Sequence, residues 1–402
     1  MSEIGNIFYR SNVYERNKNR IKFSLDDRLD GELVMKKKIG KGGFKVFYEI
    51  ENTNYVLGLL LERSDDAKII KKNLEDELDG FEIQHILSEG STLDYGIPKI
   101  YEYGKMKQMF EEGLEFLDVN FNYVIMEKGG ENLGVFLTKE INNYKRGIIK
   151  SKFYGTINVE TQENNNTDKE KKDIAFHRKK FFYNMLKSIE LIHNKGYIHT
   201  DIKIDQFLIH EENSERVRII DFGFLNKIGK TFTEAKGTHG YLAPHFKNVI
   251  DKKEVKATPC VDIYSLGVSF LNILYGSPIC LEVNKSLNKK WGCGKNINMI
   301  ETVVKKILAQ KKISFTKEEE ETLFPMIKKM LMTPIDIIKS GRITREIKKP
   351  SNCKSEYFGE HCCRYESIKE ILDEPYFNDE KFNDYKKKIK RDTDTSQEVS
   401  RE

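Results

Sequence analysis

Hydrophobic and polar positions change rhythm twice along the chain. From Glu32, ELVMKKKIGKGGFKVFYEI reads as strand, glycine turn, strand, with β-branched and aromatic residues on both sides of GKGG. After the turn signal ENTN, YVLGLLLER (55–63) predicts another strand. NLEDELDGFEIQHIL (73–87) then places Leu74, Leu78, Phe81 and His85 on one face at helical spacing. GIPKIYEYG and FNYVIMEKGG predict further strands. Residues 32–130 thus predict a small, mainly antiparallel β lobe with one helix, behind a polar extension at 1–31.

The second rhythm is helical. FHRKKFFYNMLKSIELIHNKG (176–196) carries apolar residues at 181, 182, 185, 186, 189 and 192, an amphipathic helix. Helical patterns dominate from there to IKEILDEPYF, giving a larger lobe at 131–378 and an α+β class for the whole chain. Two polar stretches interrupt that lobe. One lies near 145–172 and holds NVETQENNNTDKEKK, which reads as a flexible insertion; the other lies near 340–360. The charged tail at 379–402 predicts disorder.

Composition narrows the class. Charged residues make up 33% of the chain, yet 68 Lys and Arg against 63 Asp and Glu leave a net charge of only +5. That balance does not argue for nucleic acid. No apolar run follows a basic start, and YSLGVSFLNILYG (264–276) is shorter than the roughly 20 residues a bilayer span needs. The expectation is a soluble, intracellular, cytoplasmic protein. Six cysteines form no disulfide framework. Cys353, His361, Cys362 and Cys363 lack paired C-x-x-C spacing and read as reduced thiols rather than metal ligands.

The chemistry concentrates in GYIHTDIKIDQFLIHEENSERVRIIDFGF (196–224). Asp201 and Lys203 sit in a loop after a helix, and a strand, turn and strand then lead to Asp221-Phe222-Gly223. A base, a cation and a carboxylate at the mouth of a hairpin suit in-line transfer of a phosphoryl group held by Mg²⁺.

These residues resemble the eukaryotic-type protein kinase superfamily. HTDIKIDQFL is similar to its catalytic loop, DFG is intact at 221–223, and GTHGYLAPH (237–245) resembles the end of an activation segment. VDIYSLGVSFLNILYG resembles the long central helix of the large lobe, with Asp262 and Gly267 at its marker positions. ESIKEILDEPYF resembles the final helices, with Arg364 just before them, and FNYVIMEKGGENL is most like the casein-kinase-type hinge. The resemblance covers about residues 32–378 and implies a bilobal protein-kinase-like fold using ATP and Mg²⁺. It implies a protein substrate bearing Ser or Thr. Asp201 would orient the acceptor hydroxyl, Lys203 would neutralise the transferring group, and Asp221 and Gln206 would hold metal. Gln206 stands where the family has asparagine, one methylene longer. Met126, Glu127 and Gly129 would border the adenine, beneath a glycine loop of Gly40, Lys41, Gly42, Gly43, Phe44, Lys45 and Phe47.

The family's phosphate-contacting lysine is missing. If Gly58 takes the place of the alanine in V-A-I-K, Leu60 falls where lysine belongs, and nothing between Val46 and Ala67 is a lysine. Strands alternate faces with period two, so Lys45 shares a face with Phe47. The pattern GKGGFKVFY resembles that of the with-no-lysine kinases, and it implies that Lys45 is the relocated lysine, paired with Glu82 or, as the weaker candidate, Glu77. Thr200 replaces the arginine before the catalytic aspartate, so phosphorylation of Thr231 or Thr233 is not expected to be required. His245 replaces the glutamate of A-P-E, the usual partner of Arg364. His199 reads as a buried scaffold residue, stacked with Phe222 and Ile86. The expected function is a divergent serine/threonine kinase. The alternatives are a pseudokinase scaffold and a small-molecule phosphotransferase on a related fold.

Overall fold

Strand rhythm in the first third becomes one antiparallel sheet, and helical rhythm in the rest becomes a packed helical body. The computed structural model of the chain describes residues 22–24, 32–41, 45–50, 52–60, 80–112, 115–145, 151–155, 166–210, 215–232, 237–238, 240–243, 255–275, 305, 313–331 and 365–399. It divides into Met1–Ser91 with Ile97–Gly129, and Thr92–Gly96 with Gly130–Glu402.

In the first unit, β1 (Lys22–Ser24), β2 (Glu32–Lys41), β3 (Lys45–Ile50) and β4 (Tyr55–Leu60) precede two long strands. These are β6 (Ile100–Glu112) and β7 (Glu115–Glu127), and the sheet order is β1-β2-β3-β4-β7-β6. The ENTN turn forms as expected. Asn52 takes φ 58, which Asn tolerates, and the Thr53 hydroxyl bonds the Ile50 carbonyl at 3.2 Å and receives the Tyr55 N–H at 3.1 Å. The core joins Val56, Phe81, Ile100, Val124 and Met126, with Phe47 and Tyr103 packed against it. Phe81 comes from α1, helical at residues 80–88. Two expectations for this helix are corrected. His85 and Ile86 are exposed, and the buried face is Phe81, Gln84, Leu87 and Ser88. The Gln84 amide turns inward because it donates to the Pro98 carbonyl at 3.1 Å. Leu74, Leu78 and Glu77 lie outside the described residues.

In the second unit, a four-stranded sheet runs in the order β5 (Tyr95–Gly96), β11 (Val217–Ile219), β10 (Phe207–Ile209), β8 (Glu131–Asn132). Helix α2 (Leu133–Lys145) follows β8, and α3 spans Asp168–Asn194. The expected insertion is therefore shorter than the composition suggests. The Thr167 hydroxyl accepts the Glu170 N–H while the Glu170 carboxylate accepts from the Thr167 N–H, and this capping box starts α3 inside the polar run. Helix α4 (Pro259–Tyr275) is buried on nearly every side, as an all-round apolar helix should be. Phe182 of α3 stacks on Phe270 of α4 at 4.2 Å. Arg178, 1% exposed, is satisfied by Glu319 and by the Phe153 and Ser314 carbonyls. Cys260 is disulfide-bonded; the cluster at 353–363, expected as reduced thiols, lies outside the described residues.

After α5 (Phe324–Met330) and α6 (Ile368–Leu372) the chain does not fray. The tail forms α7, Glu380–Val399. Phe382 is fully buried, Tyr183 lies edge-on to it at 5.3 Å, and Lys179 pairs with Asp379 at the helix start. Charge composition alone concealed this anchored aromatic.

Candidate active site

Leaving α3, the chain turns at Gly196 (φ 81) into β9 (Tyr197–Ile198), which pairs with β12 (Asn226–Lys227). The next two residues are clamped from α4. Asp262, fully buried, accepts the His199 N–H at 2.7 Å and the Thr200 N–H at 2.9 Å, with His193 Nε2 also at 2.9 Å. The clamp holds Thr200 at φ 68, a strained value for a β-branched residue. The Thr200 hydroxyl donates to the Phe224 carbonyl at 2.6 Å. His199 is fully buried, its Nε2 lies 3.0 Å from the Ile220 carbonyl oxygen, and its ring lies 5.5 Å from that of Phe222.

This backbone delivers Asp201, 4% exposed, into a set of donors. Its Oδ1 accepts the Thr238 hydroxyl at 2.6 Å, and its Oδ2 accepts Lys203 Nζ at 2.9 Å and Gln206 Nε2 at 3.2 Å. Lys203 Nζ also donates to Thr238 Oγ1 at 2.8 Å. The β10–β11 hairpin pairs Phe207 with Ile219 and so sets Gln206 beside Asp221. Gln206 is fixed by its own N–H to Lys203 O (3.0 Å) and by Ile220 N–H to its carbonyl (2.9 Å). Its side-chain nitrogen donates to Asp221 Oδ2 at 2.8 Å. Asp221 itself sits at φ 71. Thr238 is held close by Gly237 (φ 125), where a Cβ would come within 2.8 Å of the Thr200 carbonyl oxygen. Ser265 of α4 secures the same segment by donating to the Tyr241 carbonyl at 2.8 Å. Beside this group, partial burial raises the Asp205 carboxyl above its ordinary pKa, the Lys203 ammonium opposing and the Asp201 charge adding to the shift.

Asp201, Lys203, Gln206 and Asp221 thus come together as the sequence suggested, within the second unit. Sequence reasoning marked Asp262 only by resemblance, without its contacts, and gave no role to Thr238 or His193. A lone aspartate in the apolar run of α4 was the available signal for the clamp. A carboxylate is a hard oxygen donor of the kind Mg²⁺ takes, and two neighbouring carboxylates are a charge set that a divalent cation would neutralise. The residues fit the ion.

The first unit holds the nucleotide-side candidates. The β3–β4 register sets Lys45 directly opposite Leu60 and Phe47 opposite Gly58. A Cβ on Gly58 would meet Phe47 Cε1 and Val124 Cγ1 at 2.7 Å, so the missing side chain makes room for the Phe47 ring. Gly40 pairs with Phe47 and Lys41 with Val46; Gly42, Gly43 and Phe44 lie outside the described residues. Met126 is 7% exposed, the Glu127 N–H donates to the Lys99 carbonyl at 2.8 Å, and Gly129 ends the unit. Glu82 lies on the exposed face of α1.

A clamped loop bearing an aspartate and a lysine is joined by a hairpin to a second aspartate, an arrangement suited to phosphoryl transfer. The protein kinase domain family matches residues 150–349. Over 253 residues the chain is 27% identical to probable serine/threonine-protein kinase 2 of Plasmodium falciparum, covering 61% of this chain and 38% of that protein. Over 96 residues it is 35% identical to serine/threonine-protein kinase STE20 of Saccharomyces cerevisiae and to serine/threonine-protein kinase CST20 of Candida albicans. That segment is 23% of this chain, and 10% and 7% of those proteins. The chain spans well under half the length of these relatives. It belongs to the eukaryotic-type protein kinase superfamily.

Proposed function

We propose that the chain is a divergent serine/threonine protein kinase that transfers the γ-phosphoryl group of ATP to protein hydroxyls. The observation that carries this reading is the Thr238–Asp201–Lys203 set: a buried carboxylate beside a cation, both already bonded to a hydroxyl. An acceptor Ser or Thr hydroxyl presents the same chemistry. Asp201 orients it and takes its proton as the oxygen attacks phosphorus and ADP leaves, while Lys203 neutralises charge on the phosphoryl oxygens. Asp221 would hold Mg²⁺, which would supply charge neutralisation for the phosphates.

Lys45 contributes the phosphate-contacting ammonium, with Glu82 as its partner. Support comes from the register, because a lysine directly across from Leu60 starts from the neighbouring backbone position. Met126, Glu127 and Gly129 border the adenine. The protein acts inside the cell; among the described residues no helix is long and apolar enough to cross a membrane. A pseudokinase reading is favoured by Thr200 and Gln206, and disfavoured by the complete Asp201–Lys203–Thr238 set. The relatives, named as serine/threonine-protein kinases, weigh against a small-molecule phosphotransferase.

The test is phosphoamino-acid analysis of a generic basic acceptor protein after incubation with γ-labelled Mg·ATP. Label on Ser or Thr that disappears in Asp201→Asn supports the proposal. Label on Tyr alone, or none with any divalent metal, overturns it.

A further inference from the structure

Among the described residues, the Gln206 side chain touches both aspartates of the group. Its nitrogen, not its oxygen, makes the contacts, 2.8 Å to Asp221 Oδ2 and 3.2 Å to Asp201 Oδ2. Ionised carboxylates only accept, so an amide oxygen in that place would face two acceptors, and the N–H end is the chemically required orientation. The side chain has little freedom to do otherwise. It is 5% exposed, and its backbone is pinned on one side to Lys203 and on the other to Ile220. The extra methylene relative to asparagine gives the reach to span both groups from that fixed root.

We propose that Gln206 is a hydrogen-bond bridge between the catalytic and metal-holding carboxylates rather than a metal ligand, and that the centre therefore takes a single divalent cation, on Asp221. The inference rests on the kinase reading only in assigning Asp221 to the metal. The bridge draws charge from Asp221 through a charge-assisted hydrogen bond, which weakens that carboxylate as a ligand. For Gln206 to ligate a second ion, its amide would have to turn over and give up both charge-assisted bonds at once. A second cation thus requires the bridge to break, whereas a first cation on Asp221 is only weakened by it.

The sign of one measurement separates bridge from ligand. Mn²⁺ is titrated into the full chain, alone and with a non-hydrolysable ATP analogue, and bound ion is counted by electron paramagnetic resonance. The bridge predicts one Mn²⁺ per chain in the wild type, and a severalfold tightening of that ion in Gln206→Leu, because Asp221 is relieved of its donor. Two ions of comparable affinity in the wild type overturn the proposal. So does a weakened or lost ion in Gln206→Leu with the circular dichroism spectrum unchanged. If Gln206→Leu fails to fold, the wild-type count decides alone. A wild type that binds one Mn²⁺ but transfers no phosphate would sink the catalytic reading and leave the bridge standing.

Discussion

Thr200 offers the sharpest physical test of how the site is held. Its backbone is forced to φ 68 by the Asp262 clamp, its hydroxyl donates to Phe224 O at 2.6 Å, and it is 1% exposed. Replacing it with Val keeps the β-branch and the strain but deletes the hydroxyl. The Phe224 carbonyl keeps the Asn226 amide at 2.9 Å, so no acceptor is orphaned and the loss is that of one hydrogen bond, about 1 kcal/mol. Replacing it with Gly loses the same bond and adds about 0.5–1 kcal/mol of unfolded-chain entropy. It also removes a left-handed penalty of about 1–2 kcal/mol. The two variants should therefore separate by strain: Val, which keeps it, destabilises by about 1 kcal/mol, and Gly, which relieves it, lies near wild type. Urea unfolding followed by intrinsic fluorescence measures both. In both variants the turnover number should fall while the KM for ATP holds, because the hydroxyl ties the catalytic loop to the segment that follows Asp221. A Gly variant less stable than the Val variant would refute the strain argument. Unchanged turnover in both would refute the positioning role.

Other perturbations probe separate parts of the account. Gly58→Ala puts a methyl 2.7 Å from Phe47 and Val124, and overpacking should cost about 1–3 kcal/mol, read as a lowered melting temperature with a raised KM for ATP. Glu215 is opposed by burial but drawn down to about 2 by hydrogen bonds from His177 and Lys180. A carboxyl depressed from 4.5 gives stability that is full above that value and disappears as pH falls toward 2, on the order of 3 kcal/mol in all. The stability gap between wild type and Glu215→Gln should accordingly be wide at pH 7 and close by pH 2–3 in urea titrations. Phe382→Ala should cost about 3–5 kcal/mol and expose α7 to limited proteolysis, whereas a frayed tail would be cut equally in both proteins.

Much of the catalytic loop was legible because hydrogen-bonding chemistry fixes spacing. Asp201, Lys203, Gln206 and Asp221 meet through a two-strand hairpin whose apolar residues announce it. The absence of a lysine at Leu60 was legible in the sequence; the register that sets Lys45 opposite Leu60 emerges only from strand pairing, and the role of Lys45 stands as a proposal. What escaped depends on long-range packing. Thr238 acquires meaning only when a glycine brings it against the loop, and Asp262 only when α4 meets two backbone amides 60 residues upstream. The outer halves of β6 and β7, including KMKQMFEE, mix charge with apolar residues too evenly for a strand signal to emerge without its partner. Polarity hid the first turns of α3 and the anchored start of α7, because a capping box and a single buried phenylalanine outweigh composition. Glu82 stands as a proposal on the exposed face of its helix.

The central claim, a working kinase with its phosphate lysine moved to the glycine-loop strand, is tested most directly by γ-labelled phosphate transfer from Mg·ATP. The full chain would be compared with Lys45→Met, Lys68→Met and Asp221→Ala on the same acceptor protein. Transfer in the wild type and in Lys68→Met, with loss in Lys45→Met and Asp221→Ala, is the predicted result. Transfer that survives Lys45→Met, or is absent from the wild type, would contradict it.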